Sequence, residues 1–131
     1  KTKSCDSSPY TSTIFSANPL FVDLKALTTK KWGNILSEKT FLNIVENNPQ
    51  KNVNKTAYSY AYYKYSEALD ESYKNFINLN DKTLKKEFEN FKNKNNSWLD
   101  KDSLYEALSI EHGNDYFPAW KSEVDKNLFN H

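Results

Sequence analysis

A mainly α-helical fold is what the sequence predicts: a small helical subdomain preceded by an extended N-terminal loop and a short strand. Three observations carry this expectation. Apolar residues recur every three or four positions from Tyr58 to Phe76 and again from Leu84 to Phe91, the repeat of one helix face. Residues that start helices precede these stretches, and residues that stop helices follow them. Aromatic residues make up 15% of the chain while all hydrophobic residues reach only 37%, so large rings must build the core.

The elements follow in order. Residues 1–18 are rich in Ser and Thr around Pro9, show no helical period and read as an extended loop. Pro19 biases Asn18 away from helix, and Leu20-Phe21-Val22-Asp23-Leu24 reads as a short strand or extended segment. Ala26 and Leu27 continue into a helical turn before a break at Lys30-Lys31-Trp32-Gly33. Ser37 N-caps a helix carrying Phe41, Leu42, Ile44 and Val45, which Asn47-Asn48-Pro49 stops. Residues 50–55 are a polar loop.

The next stripe is Tyr58, Tyr62, Tyr65, Leu69, Tyr73 and Phe76; Tyr58, Tyr60 and Tyr62 also alternate, which leaves an extended start open. Asp81 caps a Lys/Glu-rich helix with Leu84, Phe88 and Phe91 on one face. Ser97-Trp98-Leu99-Asp100 has the shape of a capping box and opens a separate helix bearing Leu104, Ala107 and Leu108. That helix ends at Gly113, with His112 as a cation in its last turn. After a turn at Tyr116-Phe117-Pro118-Ala119-Trp120, Ser122 opens another helix, and the sequence stops soon afterwards. There is no methionine, so the chain is expected to be a processed product or a piece of something longer.

Composition narrows the function classes. With 131 residues the chain has room for one domain, and a complete (β/α)₈ barrel takes about 250. All 18 basic residues are Lys, set against 17 acids for a net charge of +1. A near-neutral chain without arginine forks suits nucleic acid poorly. No apolar run approaches the roughly 18 residues of a membrane span. Neither nucleic acid nor membrane is an expected partner. Cys5 is the single cysteine, which removes any internal disulfide, so nothing points to an oxidising compartment and a cytoplasmic setting is the expectation.

Reactive constellations are sparse. His112 and His131 lie far apart and Cys5 has no neighbour of ligand type, so no metal site is expected. Gly33 and Gly113 are too distant to form a phosphate loop, and no cofactor is expected. Acids sit beside lysines, as in Lys85-Lys86-Glu87 and Glu89, the pattern of a solvated helix face rather than a paired acid and base. Asn54-Lys55-Thr56 and Asn95-Asn96-Ser97 match the glycosylation acceptor pattern, which an Asn-rich chain produces by chance.

The tyrosines from Tyr58 to Tyr65 are the most unusual feature. Tyr58, Tyr62 and Tyr65 either pack as helix core or project rings that stack on the C–H face of a sugar while their phenols reach its hydroxyls. The Ser8-Pro9-Tyr10 turn is a second sugar-contact candidate, because Pro fixes the direction of the tyrosine.

Three stretches, in order, resemble one family. Asp6-Ser7-Ser8-Pro9-Tyr10 and the run from Phe15 to Leu24 resemble the "D-S-P-Y … F-A-x-N-P-L-x-I-D-L" segment of the 4-α-glucanotransferases, the amylomaltases or disproportionating enzymes of glycoside hydrolase family 77. Tyr58 through Leu69, with Phe76, resembles the family's "V-D-Y … K-x-x-L" helix start. Phe88 to Phe91, Trp98 to Asp100, Leu104 to Leu108, His112-Gly113 and Trp120 resemble "F-x-x-F … W-L-x-D-Y-A-L-F-x-A-L … H-G … W".

The resemblance implies a (β/α)₈ barrel parent in which residues 1–24 are an active-site loop and short strand and residues 25–131 a helical insertion subdomain. It implies transfer of α-1,4-glucan segments by a retaining mechanism through a covalent intermediate. The carboxylates of that mechanism belong to barrel motifs absent here, so no catalytic residue is expected in this chain. The implied partners are maltooligosaccharide and the remainder of the barrel. Tyr10 matches the family tyrosine that faces the donor sugar, Ser8 its neighbour, and Tyr62 a ring in a remote glucan groove. Ser7 stands where the family usually has Asp, and Cys5 replaces a residue that is aromatic in some members.

Overall fold

A computed structural model describes residues 19–128. The described residues form five α-helices: α1 (Leu24–Leu27), α2 (Glu38–Glu46), α3 (Tyr58–Asn78), α4 (Lys82–His112) and α5 (Glu123–Asn127). Short 3₁₀ turns lie at Pro19–Phe21, Lys30–Trp32 and Phe117–Ala119, and there is no strand among the described residues. The mainly helical reading holds. Its short strand does not: Leu20 and Phe21 sit in the first 3₁₀ turn, and Leu24 opens α1. Asp23 explains the difference, because its carboxylate accepts from the Ala26 N–H at 3.2 Å and caps α1.

Local capping sets most helix ends. Ser37 Oγ accepts from the Thr40 N–H at 3.1 Å at the start of α2. Asp81 Oδ1 accepts from Thr83 and Leu84 N–H at 2.9 and 3.0 Å at the start of α4. Ser122 Oγ accepts from the Asp125 N–H at 3.2 Å to start α5. At the other end of α4, Gly113 takes the left-handed conformation (φ 63°). Its N–H bonds to the Ile110 carbonyl and that of Asn114 to the Ser109 carbonyl, the paired bonds of a Schellman ending.

The expected helix start at Ser97 is overruled. Residues 82–112 form one continuous helix, about 46 Å long at 1.5 Å per residue. It holds neither Pro nor Gly, and the Asn95 amide serves it twice: Nδ2 donates to the Phe91 carbonyl at 2.7 Å, and Oδ1 accepts from Trp98 Nε1 at 3.2 Å. An N-capping sequence starts a helix only if the chain before it is not already helical, and here it is.

The core centres on Leu24, Leu36 and Ala68, with Leu27, Phe41, Ile44, Tyr65 and Leu69 packed around them. On α3 the innermost positions are Ala68 and Ser72, small enough to let the helix approach its neighbours closely. Ser72 Oγ satisfies itself on the Ala68 carbonyl at 2.8 Å. Tyr73, part of the expected apolar stripe, is 57% exposed. Asn75 Nδ2 donates to the Ile35 carbonyl at 2.8 Å and ties the loop before Leu36 to α3. A separate packing centre forms at the far end of α4, around Trp120, which is 2% exposed.

Candidate functional site

Tyr10 and Ser8, with Cys5, lie outside the described residues. Tyr62 lies on α3, half-buried, its ring edge-on to Tyr63 with centroids 5.7 Å apart and planes at 82°. Tyr63 is half exposed, so the pair forms an aromatic corner near the start of α3. The Tyr62 hydroxyl makes no hydrogen bond within the described residues.

The tyrosine cluster divides by role. The Tyr60 hydroxyl donates to the Ile44 carbonyl at 2.8 Å and ties α3 to α2. Tyr65 packs on the core, where burial, reinforced by the Asp23 carboxylate, holds its phenol above the ordinary value. The core reading therefore holds for Tyr65, while Tyr63 is left exposed. The helical period decides between them: residues on the Ala68–Ser72 face go inward, and Tyr63 goes out.

A groove of about 460 Å³ opens between α3 and α4, beside the Lys30–Trp32 turn. Its wall is almost all carbon, from Leu69 and Phe76 on α3, Phe88 and Phe91 on α4, and Trp32. Phe76 and Phe88 meet edge-to-face at 5.0 Å and join the two helices across its floor. Lys31 and Lys92 place their ammonium groups 5.7 and 5.6 Å from the Trp32 and Phe88 rings. Phe88 and Phe91, on the apolar face of α4, are 40% and 52% exposed. The groove left no local signal, because its walls come from segments far apart in the chain.

At the C-terminal end of α4, His112 Nε2 lies 2.9 Å from Asp125 Oδ2, and the imidazole stacks on Trp120 at 4.9 Å. The hydrogen bond from His112, then one from Ser122, holds the Asp125 carboxyl below its ordinary value despite some desolvation. Glu71 also titrates low. Burial pushes its carboxyl up, and bonds from Thr40 and Ser37 together outweigh that push. Both acids are thus held ionised, the opposite of a catalytic acid kept protonated by an apolar pocket. Among the described residues no group of three or more His, Cys, Asp or Glu is placed to hold a metal ion. No described helix is long and apolar enough to cross a membrane.

A family model described as 4-alpha-glucanotransferase, glycoside hydrolase family 77, matches residues 1–128. No curated protein and no solved structure matches the chain.

Proposed function

The chain belongs to the 4-alpha-glucanotransferase family, glycoside hydrolase family 77, and from that membership we propose that it is the helical glucan-contacting unit of an enzyme that passes α-1,4-glucan segments between maltooligosaccharides or starch-like glucans. The observation that carries this reading is the match itself, which runs through residues 1–128 of 131. In the proposal residues 1–24 form the active-site loop and residues 25–131 the helical insertion beside it. Tyr10 and Ser8 face the donor sugar, and Tyr62 supplies a ring to a more remote glucan contact. The half-buried Tyr62 ring, edge-on to the exposed Tyr63, supports the last assignment.

Retaining transfer needs two carboxyl groups about 5–5.5 Å apart, one nucleophilic and one shuttling a proton. The barrel of the parent enzyme supplies them in this reading, and the chain alone turns nothing over. The low-titrating Glu71 and Asp125, both spent on helix ends, support that division of labour. A single cysteine suits the cytoplasmic setting proposed for the enzyme.

The test is incubation of the purified chain with maltotriose, read as glucose released. No release is expected, and release by the chain alone overturns the inactive assignment. A second reading, a free-standing helical module that binds protein, is favoured by the carbon-walled groove between α3 and α4. Under it, mutation of Tyr62 leaves the chain's ligand untouched, whereas mutation of Phe88 or Phe91 does not.

A further inference from the structure

Three contacts converge on one imidazole where α4 ends. His112 Nε2 lies 2.9 Å from Asp125 Oδ2 on α5. Its ring stacks on the buried Trp120 with planes 14° apart. It also occupies the last turn of α4, where unpaired carbonyls gather negative charge. Trp120 is itself fixed, its indole N–H donating to the Asn114 carbonyl at 2.6 Å and its ring 5.8 Å from that of Tyr105.

All three contacts are stronger to an imidazolium than to a neutral imidazole: the first becomes an ion pair, the second a cation–π contact, the third a charge–dipole attraction. The ring is 16% exposed at its side chain, so water screens these gains only in part. Asp125 stays ionised throughout the range in which an imidazole titrates. Glu111 precedes the imidazole on α4 and Lys121 follows Trp120, and other titratable groups nearby have partners of their own. The Tyr105 hydroxyl donates to the Asp115 carbonyl, and Lys126 pairs with Glu123 at 2.6 Å. The Phe117–Ala119 turn holds no titratable side chain.

We propose that His112 is a proton-sensitive clasp: protonated, it fastens α5 and Trp120 to the end of α4, and neutral, it lets them loosen. The clasp is separate from the sugar contacts assigned to Tyr10 and Tyr62 and does not depend on them.

The test uses the full chain with Trp32→Phe and Trp98→Phe, so that Trp120 alone emits. Acrylamide quenching of Trp120 is expected to fall about twofold between about pH 8 and about pH 5.5, as a frayed end closes. His112→Gln removes that pH dependence, and His131→Gln leaves it in place. An equal fall in His112→Gln, or none in the reporter chain, overturns the clasp. If His112→Gln loses its helical circular dichroism, Asp125→Asn decides. Quenching that stays high at both pH values supports the clasp, and an unchanged fall refutes it.

Discussion

The Ser37 backbone N–H donates to Glu71 Oε1 at 2.9 Å, so a carboxylate from α3 closes the N-terminus of α2. Thr40 Oγ1 donates to the second oxygen, Oε2, at 2.6 Å, and Ser37 Oγ donates to Thr40 Oγ1 at 2.8 Å. Negative charge at a helix start also meets the positive end of the helix dipole. One acid therefore sets the position of α2 on the core.

That arrangement has a pH signature. Because Glu71 titrates below its ordinary value in the fold, the stability it contributes is complete above the ordinary carboxylate range. It is lost as pH falls through the native value. Glu71→Gln should cost about 1 kcal/mol at neutral pH, as a lost cap does. It should also flatten the decline of urea stability on acidification. Equal acid sensitivity in both proteins would show that Glu71 contributes nothing.

Gly33 provides a second case. Its φ is 69°, and a Cβ built there would lie 2.6 Å from Leu79 Cδ2. Gly33→Ala should cost about 1–2 kcal/mol from backbone strain, with a steric part added. Leu79 is a side chain that can be shortened, so Leu79→Ala in the same chain should recover only the steric part. A double-mutant cycle by thermal unfolding separates the two.

The continuity of α4 makes a prediction of opposite sign from the capping-box reading. Were Ser97 an N-cap, Ser97→Ala would destabilise by about 1 kcal/mol. Within an unbroken helix the same change is neutral or slightly stabilising, because Ala is the better helix former. Melting temperature distinguishes the outcomes directly.

The features legible in the sequence are those decided within four residues. Ser37, Asp81, Gly113 and Ser122 do what their local patterns predict, because a cap and its partners lie in one turn. Ser97 shows the limit of that logic, since a cap signal is silent when the preceding helix continues through it. Leu36 is fully buried yet sits alone in a connecting loop, where no period marks it. Tyr73 matches the helical spacing, yet the groove beside it leaves the ring open. Of the candidate site, Tyr62 as a glucan contact rests on the family pattern, and neither its pairing with Tyr63 nor the groove could be read in the sequence. Tyr10 and Ser8 rest on the family pattern, outside the described residues.

Contact with glucan is the claim on which the functional account depends, and titration with maltoheptaose followed by tyrosine and tryptophan emission tests it most directly. The account predicts saturable binding that weakens about fivefold in Tyr10→Ala and in Tyr62→Ala, the loss expected for one aromatic contact each. Absence of saturable binding, or binding that survives both substitutions unchanged, would contradict it.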